Sequence, residues 1–129
     1  MIARKGQKIL VIDDEPEITE IIKNYLAGAG YTVQVENSSV MGVERAKTFR
    51  PDLILLDLMM PVMDGYQVCS SIKKDIQLSS VPVLLLTGKD ITEDGGQSFK
   101  CGADLFIKKP FSCERLIQMV RMVLTSVAK

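Results

Sequence analysis

Histidine is missing altogether from these 129 residues, and that one absence removes several chemistries. A Ser-His-Asp triad, a histidine metal site and a phosphohistidine donor are all excluded. Cysteine is scarce and unpatterned. Cys69, Cys101 and Cys113 are odd in number, lie far apart and form no C-x-x-C, which argues against a disulfide framework or a zinc site and suits a reducing compartment. No apolar run approaches the roughly 20 residues that span a bilayer, and Met1 to Lys8 lacks the apolar segment of a signal peptide. Neither sign of charge is in excess, with 16 Lys+Arg against 16 Asp+Glu, so no global field favours nucleic acid or an anionic membrane. The expectation is a cytoplasmic protein that by itself engages neither.

What is there reads as one globular unit. A hydrophobic fraction of 47% and a charged fraction of 25% match soluble folded proteins and not disordered ones. The length suits a single domain over residues 1–129. Strand-like apolar runs occur at Ile9 to Ile12, Thr32 to Val35, Leu53 to Leu56, Val81 to Leu86 and Leu105 to Ile107. They alternate with amphipathic stretches, which predicts an α/β fold whose parallel sheet is covered by helices on both faces.

The first helix opens at Pro16 and repeats Ile18, Ile21, Ile22, Tyr25 and Leu26 at helical spacing, with Gly28 and Gly30 as its stop. The second is expected over roughly Ser39 to Thr48, and the third over Gly65 to Lys74 behind an Asp64 cap. The fourth, between Thr92 and Lys100, carries Gly95 and Gly96 in its interior, where each glycine costs about 1 kcal/mol relative to alanine. The last has Ser112 as N-cap and an apolar face of Leu116, Met119, Val120, Val123 and Leu124.

Ligands of open parallel sheets bind beyond the carboxyl ends of the strands. Here the first strand ends in Asp13-Asp14, the third in Asp57 and the fourth in Thr87-Gly88, while the fifth runs into Lys109-Pro110. Three carboxylates at one end of a sheet repel one another unless a cation sits among them. Mg²⁺ fits such oxygen donors, whereas softer metals want histidine or clustered cysteine. With a lysine and a hydroxyl added, the set has what phosphoryl transfer requires. Asp57 is then the nucleophile, Asp13 and Asp14 hold metal, Lys109 pairs with Asp57 or the phosphoryl oxygens, and Thr87 donates to one of them.

Taken singly, these motifs have plainer explanations. Asp13-Asp14-Glu15-Pro16 is a good helix start, Lys108-Lys109 a solvated pair, Lys73 and Lys74 a helix end, and Phe106 a core residue. Met59, Met60 and Met63 are read as gap-filling side chains. Asp57 after a buried strand is harder to dismiss, because a buried charge is costly without a partner.

Together, the segments Val11-Ile12-Asp13-Asp14-Glu15-Pro16, Leu55 to Gly65 (LLDLMMPVMDG), Leu86-Thr87-Gly88 and Lys108-Lys109-Pro110-Phe111 closely resemble the response-regulator receiver family of two-component signalling, typified by chemotaxis regulators. The resemblance covers nearly the whole chain, in order and spacing. It implies a doubly wound, flavodoxin-like sheet of strand order 2-1-3-4-5. It also implies that Asp57 accepts a phosphoryl group from a sensor histidine kinase or phosphotransfer protein. Mg²⁺ would be held by Asp14, Asp57 and the Met59 backbone carbonyl, with Asp13 nearby through water. The Lys109-Pro110 peptide is expected to be cis, and Thr87 and Phe106 to form the switch. A downstream partner or second copy would bind the face made by the fourth helix, the fifth strand and the last helix. Gly88 departs from the alanine usual in the family, and Met59 and Lys89 occupy positions that tune dephosphorylation there.

Three other functions fit less well. A Mg²⁺-dependent phosphatase with an aspartyl nucleophile wants a second acid where Met59 stands, and a cap for which this chain has no room. A flavin or nucleotide binder wants a glycine-rich or hydroxyl-rich loop where Asp13-Asp14-Glu15 would repel phosphate. An interaction module that is never phosphorylated leaves the joint presence of Asp14, Asp57, Thr87 and Lys109 unexplained.

Overall fold

The computed structural model describes residues 6–88, 96 and 100–127. Along the described chain run β1 (Lys8–Ile12), α1 (Pro16–Gly28), β2 (Thr32–Glu36), α2 (Gly42–Phe49), β3 (Leu53–Asp57), α3 (Gly65–Lys74), β4 (Val83–Thr87), β5 (Leu105–Lys108) and α4 (Cys113–Val127). The strands form one sheet in the order β2-β1-β3-β4-β5, and every neighbouring pair is parallel. The expected doubly wound architecture is therefore present. The fourth helix expected between Thr92 and Lys100, and Lys89 before it, lie outside the described residues, apart from Gly96 and Lys100. No helix among the described residues is long and apolar enough to cross a membrane.

Alternation along each strand divides the core in two, because successive side chains point to opposite faces. Ile9, Val11, Leu53, Leu55, Leu84 and Leu86 pack with Ile22 and Leu26 of α1 and Leu116, Met119, Val120, Val123 and Leu124 of α4. On the other face Leu10, Ile12, Ile54, Leu56, Val83 and Leu85 pack with Ala46 of α2 and Val68, Cys69 and Ile72 of α3. β3 and β4 are buried at every residue, which is why their sequences show unbroken apolar runs. Each such Leu or Ile contributes about 1.5–3 kcal/mol by leaving water.

Several boundaries differ from the sequence reading, each for a local reason. Thr19, Ile22 and Leu26 are the buried residues of α1, whereas Ile18, Ile21 and Tyr25 are exposed. Ile18 and Ile21 line an open groove of about 510 Å³ with Pro110, Phe111 and Cys113. Gly30, not Gly28, stops this helix: its φ is 101°, and the N–H groups of Gly30 and Tyr31 bond back to the carbonyls of Ala27 and Leu26.

α2 begins at Gly42 and not Ser39, because Ser38 and Ser39 are held in turns by Met41 and Gly42. β4 begins at Val83, since the Val81 N–H is turned back to Leu78 and Pro82 has no N–H to offer a ladder. The α3 expectation holds, with Asp64 and Gln67 forming a reciprocal capping box. The Ser112 cap of α4 holds as well, its hydroxyl accepting from the Arg115 N–H at 3.0 Å.

The entry to α3 is unusually tight. A Cβ on Gly65 would lie 2.5 Å from the Asp57 carbonyl oxygen and 2.6 Å from Leu58 Cα, and the Gly65 N–H donates to the Leu58 carbonyl. Backbone cannot yield as a flexible side chain would. Gly65→Ala should therefore cost about 1–3 kcal/mol in urea denaturation, the range for overpacking. Gly28→Ala makes the contrast: it is helical and a Cβ there meets nothing within 4 Å, so it should gain about 0.4–1 kcal/mol.

Candidate functional site

The strand order reverses between β1 and β3, and at such a switch point the crevice beyond the strand ends is open. Asp13 and Asp14 follow β1 at this point, and Asp57 closes β3 beside them. One carboxylate oxygen from each of Asp13, Asp14 and Asp57 lies within 4.8 Å of the others. Asp13 is 0% exposed and Asp57 2%, so this is a buried concentration of negative charge and not a solvated acidic surface.

Lys109 reaches in from the end of β5, its Nζ 2.9 Å from Asp57 Oδ1. Its own N–H donates to the Thr87 carbonyl at 2.7 Å, and the Lys109-Pro110 peptide is cis as expected. Burial would lower the Lys109 ammonium pKa. The hydrogen bond and charge of Asp57, with Asp13 and Glu15 behind, outweigh that and hold it above the ordinary lysine value.

Asp13 is less well compensated. Oδ1 accepts from the Glu15 N–H at 3.1 Å, but Oδ2 is buried with no hydrogen-bond partner among the described residues. Burial pushes its pKa up to about 6, against the pull of the Glu15 N–H, and the neighbouring Asp57 adds to the rise. The Lys109 ammonium thus meets a cluster of three carboxylates, one of which has an oxygen with no hydrogen bond among the described residues. Oxygen-only donors in that state fit a hard divalent cation.

The remaining expected residues fall around this pocket. Thr87 is buried at the end of β4. Phe106 is half-buried and packs against the core on the α3 face of the sheet. The three methionines separate: Met60 is buried and Met63 packs against the same core, but Met59 is 68% exposed, so gap-filling does not describe its side chain. Val62, next in the same loop, has a φ of 70° and sits in a turn closed by the Met63 N–H on the Pro61 carbonyl at 2.8 Å. A Cβ on Gly88 would meet nothing within 4 Å of the described residues, so there is room for the alanine the family usually has.

Sequence reading missed the groups that hold the loops. Asn37 Nδ2 donates to the Asp13 carbonyl at 2.7 Å and to Thr19 Oγ1 at 3.1 Å, and Ser39 Oγ donates to the Pro61 carbonyl at 2.9 Å. Because their partners are mainly main-chain carbonyls, no pairing of residue types betrays them.

The response regulator receiver domain family matches residues 9–121. The DNA-binding dual master transcriptional regulator RpaA of Synechocystis is 40% identical over 91% of this chain and 48% of its own length; the chain spans about half the length of the curated relatives it matches. The solved receiver domain of a signal transduction histidine kinase from Syntrophus aciditrophicus is 36% identical, with a TM-score of 0.87 over 95% of this chain and 92% of that one. The receiver domain of a sensor histidine kinase from Pseudomonas aeruginosa has a magnesium ion coordinated in its active-site cleft. It is 28% identical, with a TM-score of 0.84 over 93% and 98% of the two chains. With sheet order and family match in agreement, the chain belongs to the response regulator receiver domain family, whose members are signalling modules and not metabolic enzymes.

Proposed function

We propose that residues 1–129 form one Mg²⁺-dependent receiver domain that takes a phosphoryl group onto Asp57 and signals by a change of shape. The donor is the phosphohistidine of a sensor histidine kinase or phosphotransfer protein, in the cytoplasm. The observation that carries this reading is the convergence of Asp13, Asp14 and Asp57 within 4.8 Å around a carboxylate already in contact with Lys109.

In the reaction an Asp57 carboxylate oxygen attacks phosphorus, the bond from phosphorus to the donor imidazole nitrogen breaks, and the imidazole leaves. A carboxylate needs no general base for this attack. Mg²⁺, held by Asp14, Asp57 and the Met59 main-chain carbonyl with Asp13 nearby through water, would offset the charge on the transferring oxygens. Lys109 exchanges its bond to Asp57 for one to a phosphoryl oxygen, and the Thr87 hydroxyl donates to another. Phe106, on the strand next to Thr87, turns inward behind it. A partner or second copy reads the change on β5, α4 and the helix expected between Thr92 and Lys100.

Intact mass spectrometry after incubation with Mg²⁺ and acetyl phosphate should find one added phosphoryl group. The adduct should vanish with EDTA and in Asp57→Asn. An undiminished adduct on Asp57→Asn would move the acceptor elsewhere.

Asp13 yields a second expectation, for protein held in EDTA. Its folded pKa of about 6 lies above the ordinary aspartate value of 3.8, so the folded state binds the extra proton between those values. Its contribution to stability is then fully present below the lower value and lost as pH rises through the upper one. Asp13→Asn should raise stability at pH 7 by roughly 2 kcal/mol, the ~3 kcal/mol of such a shift discounted for solvent screening, and flatten the decline between pH 4 and pH 7. Denaturant melts of both proteins across that range check it.

A further inference from the structure

The short segment that follows β2 touches both loops of the acidic pocket. Asn37 Nδ2 donates to the main-chain carbonyl of Asp13 at 2.7 Å, the residue that leads into Asp14. The same nitrogen donates to Thr19 Oγ1 at 3.1 Å. Thr19 is 1% exposed and its hydroxyl donates in turn to the Pro16 carbonyl at 3.0 Å. Asn37 therefore bridges the end of β1 to the first turn of α1, across the loop that carries Asp13, Asp14 and Glu15.

Two residues on, buried Ser39 donates its hydroxyl to the Pro61 carbonyl at 2.9 Å. That carbonyl belongs to the loop running from Asp57 through Met59. The segment itself is braced: the Ser38 N–H donates to Glu36 Oε2 at 3.0 Å, and the Met41 and Gly42 N–H groups bond to the carbonyls of Ser38 and Ser39.

We infer that Asn37 and Ser39 are positioning residues for the cation pocket, one fixing the Asp13-Asp14 loop and the other the loop after Asp57. The two loops carry like charge and repel each other, so without restraint they spread apart. Spread carboxylates must be gathered again when a cation binds, and that ordering lowers affinity. Side-chain donors fixed to main-chain carbonyls hold the loops while themselves occupying no carboxylate oxygen of the cluster, a supporting role like that of outer partners in other metal sites. The inference rests on the metal reading above, and the experiment separates the two.

Mg²⁺ is titrated calorimetrically into the unaltered protein, Asn37→Ala, Ser39→Ala and the control Thr48→Ala. Thr48 makes a comparable bond, Oγ1 to the Glu44 carbonyl at 3.1 Å, on α2. Asn37→Ala and Ser39→Ala should each weaken Mg²⁺ binding about tenfold, the low end for loss of an outer-shell partner, while Thr48→Ala leaves it unchanged. The rate of phosphorylation by acetyl phosphate should show the same shift in half-saturating Mg²⁺, yet match the unaltered protein once Mg²⁺ saturates. Equal affinity in Asn37→Ala and Ser39→Ala, or an equal loss in Thr48→Ala, overturns the positioning role alone. No binding by the unaltered protein overturns the metal reading and this inference with it.

Discussion

The contact between Lys109 and Asp57, 2.9 Å long, is what allows a charged pocket to exist at the end of an apolar sheet. Withdrawing a carboxylate from water costs several kcal/mol even after the protein relaxes. A hydrogen bond to a charged group returns only about 1.5–3 kcal/mol, so the Lys109 contact by itself does not offset the burial of Asp57 and Asp13. The deficit falls on the rest of the fold, where buried Leu and Ile side chains on both faces of β3 and β4 hold the strand ends in place. The packing that makes the pocket rigid thus also holds its carboxylates together, an arrangement suited to a hard cation.

Topology explains why these residues meet. β1 and β3 are neighbours although β2 lies between them in the chain, so the residues just past each strand converge without any long-range pairing of their own. Lys109 comes from the far side of the sheet through β4 and β5, and the bond from its N–H to the Thr87 carbonyl fixes its approach. Thr87 and Lys109 are therefore tied main chain to main chain at the strand ends.

Much of this was legible in the sequence because it rests on patterns with few alternatives. Unbroken runs such as Leu53 to Leu56 belong to strands covered on both faces, and polar residues at their carboxyl ends mark a site in this architecture. Asp64 and Ser112 announced helix starts by side-chain chemistry. The failures share a cause. Ile18, Ile21 and Tyr25 satisfy the same helical spacing as Ile22 and Leu26, and periodicity cannot say that Thr19 supplies the buried face while Ile18 and Ile21 line an open groove. Gly28 and Gly30 were equivalent until the backbone showed which one carries the positive φ. Asn37 and Ser39 act on carbonyl oxygens, which every residue possesses, so their roles depend on loop paths that only the folded chain defines.

Gly65 sits so close to Asp57 that α3 has no freedom of its own. With no Cβ to hold them apart, the first residue of the helix presses on the peptide that carries the Asp57 side chain, and the Gly65 N–H donates to the Leu58 carbonyl. Strand end and helix start therefore behave as one piece, anchored in turn by Val68, Cys69 and Ile72 in the core. A substitution that displaces the start of α3 therefore displaces Asp57 with it, so the seating of this helix is part of the geometry of the acidic cluster.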